Sequence, residues 1–255
     1  MAKLSGKIAI ITGSDSGMGQ AMARAFAREG AAVAVTYHSD SEGAQRTLEA
    51  VEQAGCRGLV RQLDVTDPQS VAALFQAVDE ELGTPDILVN NAGIGGSGAL
   101  TEIGAETFDK VLKTDLYGPF YCAQEFVRRQ QNGGGKILNI TSVHDSIPSP
   151  GHSPYGAAKG GLLALTRSLA LELAAQRINV NAIAPGLIHT PMTAQRLDDP
   201  RQREQELPYI PWGRAGKPEE VAELALYLVG PDADYVIGQG FVIDGGLEMN
   251  WGQGA

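Results

Sequence analysis

A short apolar run, a glycine-rich turn and a helical pattern follow one another near the start of the chain, and this succession limits the possible folds most. Residues 7–12 are apolar and β-branched, as in a strand buried on both faces. The turn Gly13-x-x-x-Gly17-x-Gly19 follows, and residues 20–29 have helical periodicity. Glycines let a backbone approach a ligand closely, and a helix N-terminus supplies amide donors. The segment predicts a cradle for the pyrophosphate of a dinucleotide, with a plain strand-to-helix turn as the alternative.

The rest of the chain alternates predicted strands with predicted helices. The strand patterns cover residues 32–37, 57–63, 86–90, 135–141, 177–184 and 240–243. The helical patterns cover residues 41–54, 68–82, 105–131, 154–175 and 218–229. This alternation predicts an α/β fold, a doubly wound parallel sheet (Rossmann fold) of about seven strands with helices on both faces. Residues 1–255 are expected to form a single nucleotide-binding domain. Its only long stretch outside the alternation, 187–216, is expected to be an insertion that acts as a lid over the strand ends.

Composition excludes several classes of protein. The chain has 255 residues, 43% apolar and 20% charged, which is typical of a globular protein with a well-buried core. The formal net charge of −10 opposes nucleic-acid binding, which needs clustered Lys and Arg. Cys56 and Cys122 have no metal-site spacing and indicate a reducing compartment. Neither a signal peptide nor a membrane-spanning stretch is evident, so we expect a cytoplasmic protein with no metal, nucleic-acid or membrane partner.

Small, polar or glycine-rich residues follow nearly every predicted strand at its carboxyl end. These segments are residues 13–19, 36–39, 64–65, 90–93, 141–144 and 185–190. In an open parallel sheet, ligands bind beyond the carboxyl ends of the strands. One edge of the sheet is therefore expected to carry the site.

Tyr155 and Lys159 are four residues apart in a predicted helix, and Ser142 lies thirteen positions upstream of Tyr155 at a strand end. Residues i and i+4 share one helix face, and Pro154 suits the first turn of a helix. A Lys ammonium beside a phenol favours the phenolate, which can accept a proton from an alcohol. Ser142 could hold the substrate oxygen. A solvated surface helix is the alternative interpretation of the Tyr-Lys spacing alone.

Together, these motifs resemble those of the short-chain dehydrogenase/reductase superfamily, along almost the whole chain. The resemblance rests on the glycine turn after Thr12, Asp64, Asn90-Asn91-Ala92-Gly93, Ser142, Tyr155 with Lys159, Pro185-Gly186 and Asp244-Gly245-Gly246. The stretches 142–148, 190–192 and 199–200 look most like the bacterial glucose 1-dehydrogenase branch of the family.

The resemblance implies hydride transfer between a nicotinamide cofactor and a secondary alcohol or carbonyl. Tyr155 would be the general acid/base, Lys159 would bond the nicotinamide ribose and support the phenolate, and Ser142 would orient the substrate oxygen. The implied cofactor-binding residues, besides Tyr155 and Lys159, are Gly13, Asp15, Ser16, Gly17, Met18, Gly19, Tyr37, His38, Ser39, Asp64, Val65, Asn90, Asn91, Ala92, Gly93, Pro185, Gly186, Ile188 and Thr190. Among them, Asn90 would lie near the adenine ribose.

One position departs from the family pattern. The family carries a fourth catalytic residue, an Asn on the long central helix that is described as holding a water in a proton relay, and Asp115 stands at the matching position. A carboxylate can accept the same hydrogen bonds and stabilise the Lys159 cation, but it can also trap Lys159 in a tight pair. We expect activity to survive. A relative that binds the cofactor without turnover is the alternative.

The choice between NAD and NADP is expected to depend on the end of the second strand. Thr36-Tyr37-His38-Ser39 lacks the acidic residue that would bond a ribose 2′-hydroxyl. Asp15 would repel a 2′-phosphate, whereas His38 could bind one best when protonated, below about pH 6.5. Both cofactors remain open, and dual NAD(P) use is favoured.

The expected partner is a small-molecule substrate. The predicted pocket combines Ser142, His144, Gly95, Tyr155, Met192 and Trp212, with Gly96, His152 and Thr193 beside them. A His close after Ser142 suits a sugar or polyol, although the glucose-dehydrogenase branch tends to carry an acidic group where Gly95 stands. A 3-ketoacyl group on a carrier protein is the nearest alternative substrate, with Arg128-Arg129 as a docking point.

The resemblance also implies an oligomer, because family members are commonly tetramers assembled through helices that match residues 105–131 and 154–175. Small and apolar residues on the second helix allow close helix approach: Ala157, Gly160, Gly161, Leu165 and Leu169. The same residues would also suit packing on the sheet. A homotetramer is the expectation.

Overall fold

The computed structural model describes residues 2–131 and 133–250 and contains one parallel sheet. Its strands are β1 (Ile8–Ile11), β2 (Ala32–Tyr37), β3 (Gly58–Gln62), β4 (Ile87–Asn90), β5 (Gly135–Ile140), β6 (Ile178–Pro185) and β7 (Gly240–Ile243). The seven strands are ordered β3-β2-β1-β4-β5-β6-β7, and every neighbouring pair is parallel. The strand order reverses between β1 and β4, which creates the crevice where such sheets bind ligands. The predicted doubly wound fold is confirmed.

Nine of the ten described α-helices lie between successive strands, the tenth follows β7, and some of them begin at a side chain that caps the helix. They are α1 (Gly17–Arg28), α2 (Ser41–Gln53), α3 (Pro68–Glu81), α4 (Ala105–Leu112), α5 (Gly118–Arg129), α6 (Ser153–Leu173), α7 (Pro191–Asp198), α8 (Pro200–Glu206), α9 (Pro218–Val229) and α10 (Leu247–Asn250). The Asp40 carboxylate accepts a hydrogen bond from the Gly43 amide at the start of α2, and Asp67 accepts one from Gln69 at the start of α3.

Helices cover both faces of the sheet because alternate residues of each strand point to opposite faces. In β1, Ile11 packs on the face that carries α1 and α9, among residues such as Phe26. Its neighbour Ile10 packs on the opposite face with α3, α5 and α6, among residues such as Phe75 and Phe126. Both groups are buried apolar clusters, so the central strands are hydrophobic on both faces, as their sequences predict.

The predicted long helix over residues 105–131 is present but not uniform. A π-helical turn, Lys113–Tyr117, separates α4 from α5. The wider turn changes the direction of the side chains that follow it, and such turns are frequent at functional sites. Asp115 lies in this turn with its side chain buried.

Two connections differ from the sequence-based expectation. The stretch 187–216 contains α7 and α8, so half of it is helical and it is not irregular throughout. The connection 91–104, between β4 and α4, is a second long stretch without helix or strand, so the expectation that 187–216 is the only one was wrong. Both follow carboxyl ends of strands and therefore lie at the edge that was expected to bind the ligand.

Candidate active site

A cavity of about 860 Å³ opens at the carboxyl edge of the sheet, beside the ends of β1, β2, β3 and β4. Most of the predicted cofactor residues line it: Gly13, Asp15, Ser16, Gly17, Met18, Tyr37, His38, Ser39, Asp64, Val65, Asn91, Ala92, Gly93 and Thr190. Met192, predicted on the substrate side, lines it as well. One continuous cleft therefore brings together segments that are up to about 180 residues apart in the sequence.

The glycine turn forms one wall of the cleft, and two of its glycines have no room for a side chain. Gly13 has a φ of +62°, and a Cβ there would lie 3.1 Å from the Ala92 Cα. A Cβ at Gly19 would lie 2.2 Å from the carbonyl oxygen of Gly13, so any larger residue would displace the turn. The turn leads directly into α1, whose N-terminal amides point towards the cleft. This arrangement fits the pyrophosphate of a dinucleotide.

Hydrogen bonds from neighbouring strand ends hold the turn in place. The Asn91 side-chain nitrogen donates to the carbonyls of Thr12 and Gly13 at 2.9 and 2.8 Å. The Gly13 amide donates to the Thr36 hydroxyl at 3.0 Å. Asn91 and Thr36 therefore position the cradle from β4 and β2.

Two carboxylates that line the cleft have pKa values shifted in opposite directions. Hydrogen bonds from the hydroxyl and amide of Thr66 lower the pKa of Asp64, so this carboxylate is ionised and fixed near β3. Burial, and then the nearby charge of Asp40, raise the pKa of Asp15 in the glycine turn. A phosphate placed against Asp15 and Asp40 would meet negative charge.

Tyr155 and Lys159 lie in the first two turns of α6, on one helix face. The Lys159 Nζ is 5.5 Å from the centroid of the Tyr155 ring and donates a hydrogen bond to the Ile140 carbonyl at 3.0 Å. Burial lowers the pKa of Lys159, but Asp115, Tyr155 and Asp145 raise it, and the net direction is upward. Lys159 is therefore an ammonium at neutral pH although it is only 4% exposed.

The wall of the cleft lies close to Lys159. Gly93 lines the cavity, and a Cβ at Gly93 would lie 3.4 Å from the Lys159 Nζ and 2.8 Å from Asp115 Oδ2. Only a glycine allows the cleft wall to approach Lys159 this closely. Asp115 in turn lies 3.1 Å from the Lys159 Nζ.

His144 stands next to Tyr155 and contacts both Ser142 and His152. The Ser142 hydroxyl, at the end of β5, accepts a hydrogen bond from the His144 amide at 3.2 Å. The His144 ring is 6.3 Å from the Tyr155 ring, edge to face, and is stacked at 6.4 Å on His152. The Nδ1 of His144 faces the Ile147 carbonyl at 3.3 Å, so it carries the proton and leaves Nε2 as an acceptor. Burial lowers the pKa of His144, which favours this neutral form.

Asn90 is not in the cleft, contrary to the expectation that it lies near the adenine ribose. Its side chain is 3% exposed and donates to Asn139 at 2.8 Å, and Asn139 donates to Thr166 at 2.9 Å. Side chains alternate between the two faces of β4, and the Asn90 side chain is on the face that packs against α5 and α6. Asn90 is a structural residue of the core.

Other predicted residues lie beside the cleft without lining it. Pro185 and Gly186 end β6, where a Cβ at Gly186 would lie 2.6 Å from the Asp244 Cβ. Ile188 is 4% exposed and forms a bridge with Gly216. Gly95 is exposed, and Trp212 is 72% exposed with its backbone amide bound to the Gly245 carbonyl. Within the described residues, Trp212 makes neither a ring contact nor a hydrogen bond with Tyr155 or His144.

One face of α4 and of the π turn after it lines the cleft and was missed by the sequence analysis. Its residues recur at helical spacing: Glu106, Asp109 and Lys110 in α4, and Lys113 and Thr114 in the π turn. The polar stripe is visible in the sequence, but only the packing of α4 shows that it faces the ligand cleft and not bulk solvent. Two lysines therefore face a cleft in a chain with a net charge of −10.

The structure also limits other functions. Within residues 2–131 and 133–250, no cluster of three or more His, Cys, Asp or Glu side chains is arranged to hold a metal ion. None of the described helices combines the length and the apolar character needed to cross a bilayer.

Comparison with known proteins places this site in a family. Residues 13–248 match a family model described as enoyl-(acyl carrier protein) reductase. The chain is 40% identical to 3beta-hydroxysteroid dehydrogenase 1 of Eggerthella lenta, with 98% of each chain covered, and 39% identical to glucose 1-dehydrogenase 2 of Bacillus subtilis, with 96% of each covered. It superposes with a TM-score of 0.88 and 35% identity on a proposed 2-deoxy-D-gluconate 3-dehydrogenase of Agrobacterium tumefaciens with bound NADP, covering 96% of this chain and 97% of that one. These identities over nearly complete chains show that the protein is an oxidoreductase of the short-chain dehydrogenase/reductase superfamily.

Proposed function

We propose that this enzyme is an NAD(P)-dependent oxidoreductase that interconverts a secondary alcohol and a ketone, with a hydroxyl-rich compound such as a sugar or polyol as substrate. The observation that carries the proposal is the placement of Lys159 against Gly93, a residue that lines the dinucleotide-type cleft, with the Tyr155 ring 5.5 Å from the Lys159 Nζ. A bound nicotinamide would take or supply the hydride. The domain is proposed to comprise residues 1–255, with 187–216 as the lid.

The residues of the chain handle the proton and the substrate oxygen. In alcohol oxidation, the Tyr155 phenolate accepts the hydroxyl proton, and in carbonyl reduction, the Tyr155 phenol donates it. Lys159 stabilises the phenolate through its charge because burial strengthens electrostatic interactions. The Ser142 hydroxyl donates to the substrate oxygen and orients the carbon that reacts.

Replacement of Tyr155 by Phe tests the proposal directly. We expect Tyr155→Phe to lower turnover at least about 100-fold, because the general acid/base is lost, while the dissociation constant of the cofactor changes little. Tyr235→Phe is the matched control, since Tyr235 is fully exposed and does not line the cleft. Cofactor fluorescence titration and nicotinamide absorbance measure the two quantities. Near-wild-type turnover in Tyr155→Phe would exclude this mechanism.

Dual use of NAD and NADP is part of the proposal. Asp15 and Asp40 disfavour a 2′-phosphate, whereas His38, Ser39, Lys110 and Lys113 favour one. The relative with bound NADP supports the use of the phosphorylated cofactor. Michaelis constants for both cofactors at about pH 6 and about pH 8 test this. Use of one cofactor only at both pH values would refute dual use.

The two histidines beside Tyr155 support a hydroxyl-bearing substrate. His144 offers Nε2 as an acceptor, and in His152 it is Nδ1 that contacts the Ser149 hydroxyl and the Pro150 carbonyl. Acceptors next to the reacting carbon suit substrates with further hydroxyl groups. Initial rates with a panel of sugars, polyols and ketoesters test the class, and turnover of ketoesters alone would contradict it.

A carrier-linked 3-ketoacyl group is the second candidate substrate, and the acyl carrier protein named in the description of the matching family model supports a carrier-linked substrate. The proposed docking residues give it less support. Arg128 pairs with Glu125, and Arg129 pairs with Glu125 and Asp79 and stacks on Phe75. Arg129 is therefore committed to the fold.

A homotetramer remains a proposal for the assembly, and light scattering of the purified protein tests it. Tyr117 and Phe120, at the start of α5, and Leu171 in α6 are 44, 38 and 79% exposed and offer apolar surface for subunit contacts. The small residues expected to mediate contacts are partly used within the chain: a Cβ at Gly161 would lie 3.0 Å from Leu116, and Leu169 packs against the core. The cytoplasmic location likewise stays a prediction.

A further inference from the structure

Asp115 is fully buried, and its two carboxylate oxygens have different surroundings. Oδ1 accepts a hydrogen bond from the Ile94 amide at 2.8 Å. Oδ2 lies 3.1 Å from the Lys159 Nζ, the distance of an ion pair, but within residues 2–131 and 133–250 it has no hydrogen-bond donor of suitable geometry. Lys159 directs a hydrogen bond to the Ile140 carbonyl instead. Asp115 therefore acts on Lys159 through charge and on the 91–104 connection through a hydrogen bond.

The charge of Asp115 opposes the effect of Lys159 on Tyr155. An isolated ammonium 5.5 Å from the Tyr155 ring would strongly favour the phenolate. A carboxylate 3.1 Å from that ammonium cancels part of the attraction, because both charges are buried and are poorly screened by water.

Other titratable groups near the pair do not replace this effect. Asp145 acts on Lys159 from the segment after β5 and adds to the negative charge. His144 faces the Tyr155 ring, and burial lowers its pKa, so it is neutral near pH 7. The charges of His152 and Arg196 also lower the pKa of His144. Asp115 is the group in ion-pair contact with Lys159.

We propose that Asp115 is a positioning residue that restrains the charge of Lys159, so that Lys159 favours the Tyr155 phenolate less and the enzyme is poised to donate a proton to a carbonyl. A reductase needs the phenol and a dehydrogenase needs the phenolate, so this restraint favours reduction near neutral pH. The same side chain fixes the 91–104 connection next to the cleft through Ile94. The kinetic part of this inference rests on the proposed function, whereas the charge balance does not.

Asp115→Asn tests the charge balance because Asn retains an oxygen for the Ile94 amide, removes the negative charge and places an uncharged NH2 group where Oδ2 faced Lys159. We expect the pH profiles of kcat/KM for oxidation and for reduction both to move to lower pH by about one unit, since Lys159 is then uncompensated. Phenolate absorbance, measured as the difference from the same protein with Tyr155→Phe, should move in the same direction without any turnover. An unchanged profile and titration, or a shift to higher pH, would overturn the inference.

Asp86→Asn is the matched control. Asp86 also accepts a hydrogen bond from a backbone amide, that of Ile8 at 3.0 Å, and pairs with a lysine, Lys7 at 2.7 Å. It lies at the opposite edge of the sheet, so its loss of charge should leave both profiles in place. A shift equal to that of Asp115→Asn would show that overall charge causes the effect, and would overturn the inference.

Two further variants separate the two roles of Asp115. Asp115→Ala also leaves the Ile94 amide without its acceptor, so KM for the substrate should rise beyond that of Asp115→Asn while the pH shift is the same. An equal KM in both variants would refute the positioning of the 91–104 connection. If Asp115→Asn does not fold, Asp115→Ser, which is smaller and uncharged, must give the same downward shift, and the same contrary results overturn the inference.

The test distinguishes this inference from the proposed function. If the wild-type protein turns over no alcohol or carbonyl in the panel, the proposed function fails, and the phenolate titration still decides whether Asp115 restrains Lys159. If turnover is normal and neither the profile nor the titration moves in Asp115→Asn, only the inference about Asp115 fails.

Discussion

Two aspartates, each with one backbone hydrogen bond and one lysine partner, lie at opposite edges of the sheet. At the amino edge, Asp86 accepts a hydrogen bond from Ile8 and pairs with Lys7, and the two side chains are 32 and 51% exposed. At the carboxyl edge, Asp115 accepts a hydrogen bond from Ile94 and faces Lys159, and these side chains are 0 and 5% exposed. The distances are similar, so burial is what differs.

This difference in burial decides what each pair can do. Water and salt screen the Asp86–Lys7 pair, which ties β1 to β4 and has little influence beyond its neighbours. The buried Asp115–Lys159 pair acts in a medium of low dielectric constant, where its charges reach Tyr155. The same pair of residue types is a structural tie at one edge and a determinant of proton transfer at the other.

The largest expected effect comes from removing the lysine of each pair. Lys159→Met leaves Asp115 as an uncompensated buried charge and should lower the free energy of unfolding by about 3–5 kcal/mol. Lys7→Met should lower it by at most about 1 kcal/mol. Urea unfolding of both variants measures the two values. Equal losses would show that burial does not distinguish the two pairs.

A smaller effect is expected when one glycine at each edge of the sheet is replaced by Ala. At the carboxyl edge the replacement should change cofactor binding, and at the amino edge it should change the free energy of unfolding. In Gly19→Ala, the new Cβ would clash with the Gly13 carbonyl, displace the cradle and weaken cofactor binding about 10-fold or more. Gly55, after α2 at the amino edge, has a φ of +79° but no atom within 4 Å of its Cβ position. Gly55→Ala should therefore lower the free energy of unfolding by about 1–2 kcal/mol and leave the cofactor dissociation constant unchanged. Weakened cofactor binding in Gly55→Ala would contradict this separation.

The smallest effect concerns His144 and the pH dependence of stability. Burial lowers the pKa of His144 in the folded protein below its ordinary value of 6.5, so the unfolded chain takes up the proton first as the pH falls. The contribution of His144 is fully present above about pH 6.5 and decreases below it. Urea unfolding between about pH 7.5 and about pH 5.5 should show a smaller loss of stability in His144→Gln than in the wild type. Identical pH dependence in both proteins would refute this.

Much of the fold was predictable because its signals are local. The period of the apolar residues distinguishes strands from helices, and the capping residues Asp40 and Asp67 lie where α2 and α3 begin. The carboxyl-end rule for parallel sheets then assembled most of the cleft from residues that are far apart in the sequence. The pairing of Tyr155 with Lys159 followed from helical spacing in the same way.

The sequence by itself thus determined the strand-helix alternation, the glycine cradle and the face shared by Tyr155 and Lys159, since each depends on neighbours within a few residues. Only the tertiary structure decided that Asn90 turns into the core, that the polar face of α4 lines the cleft and that a π turn buries Asp115 against Lys159. These features depend on which elements pack together and how deeply, and burial sets the strength of a charge interaction. Asp115 appears in the sequence as a substitution in a motif, and the fold places its charge where it can act on Tyr155 through Lys159.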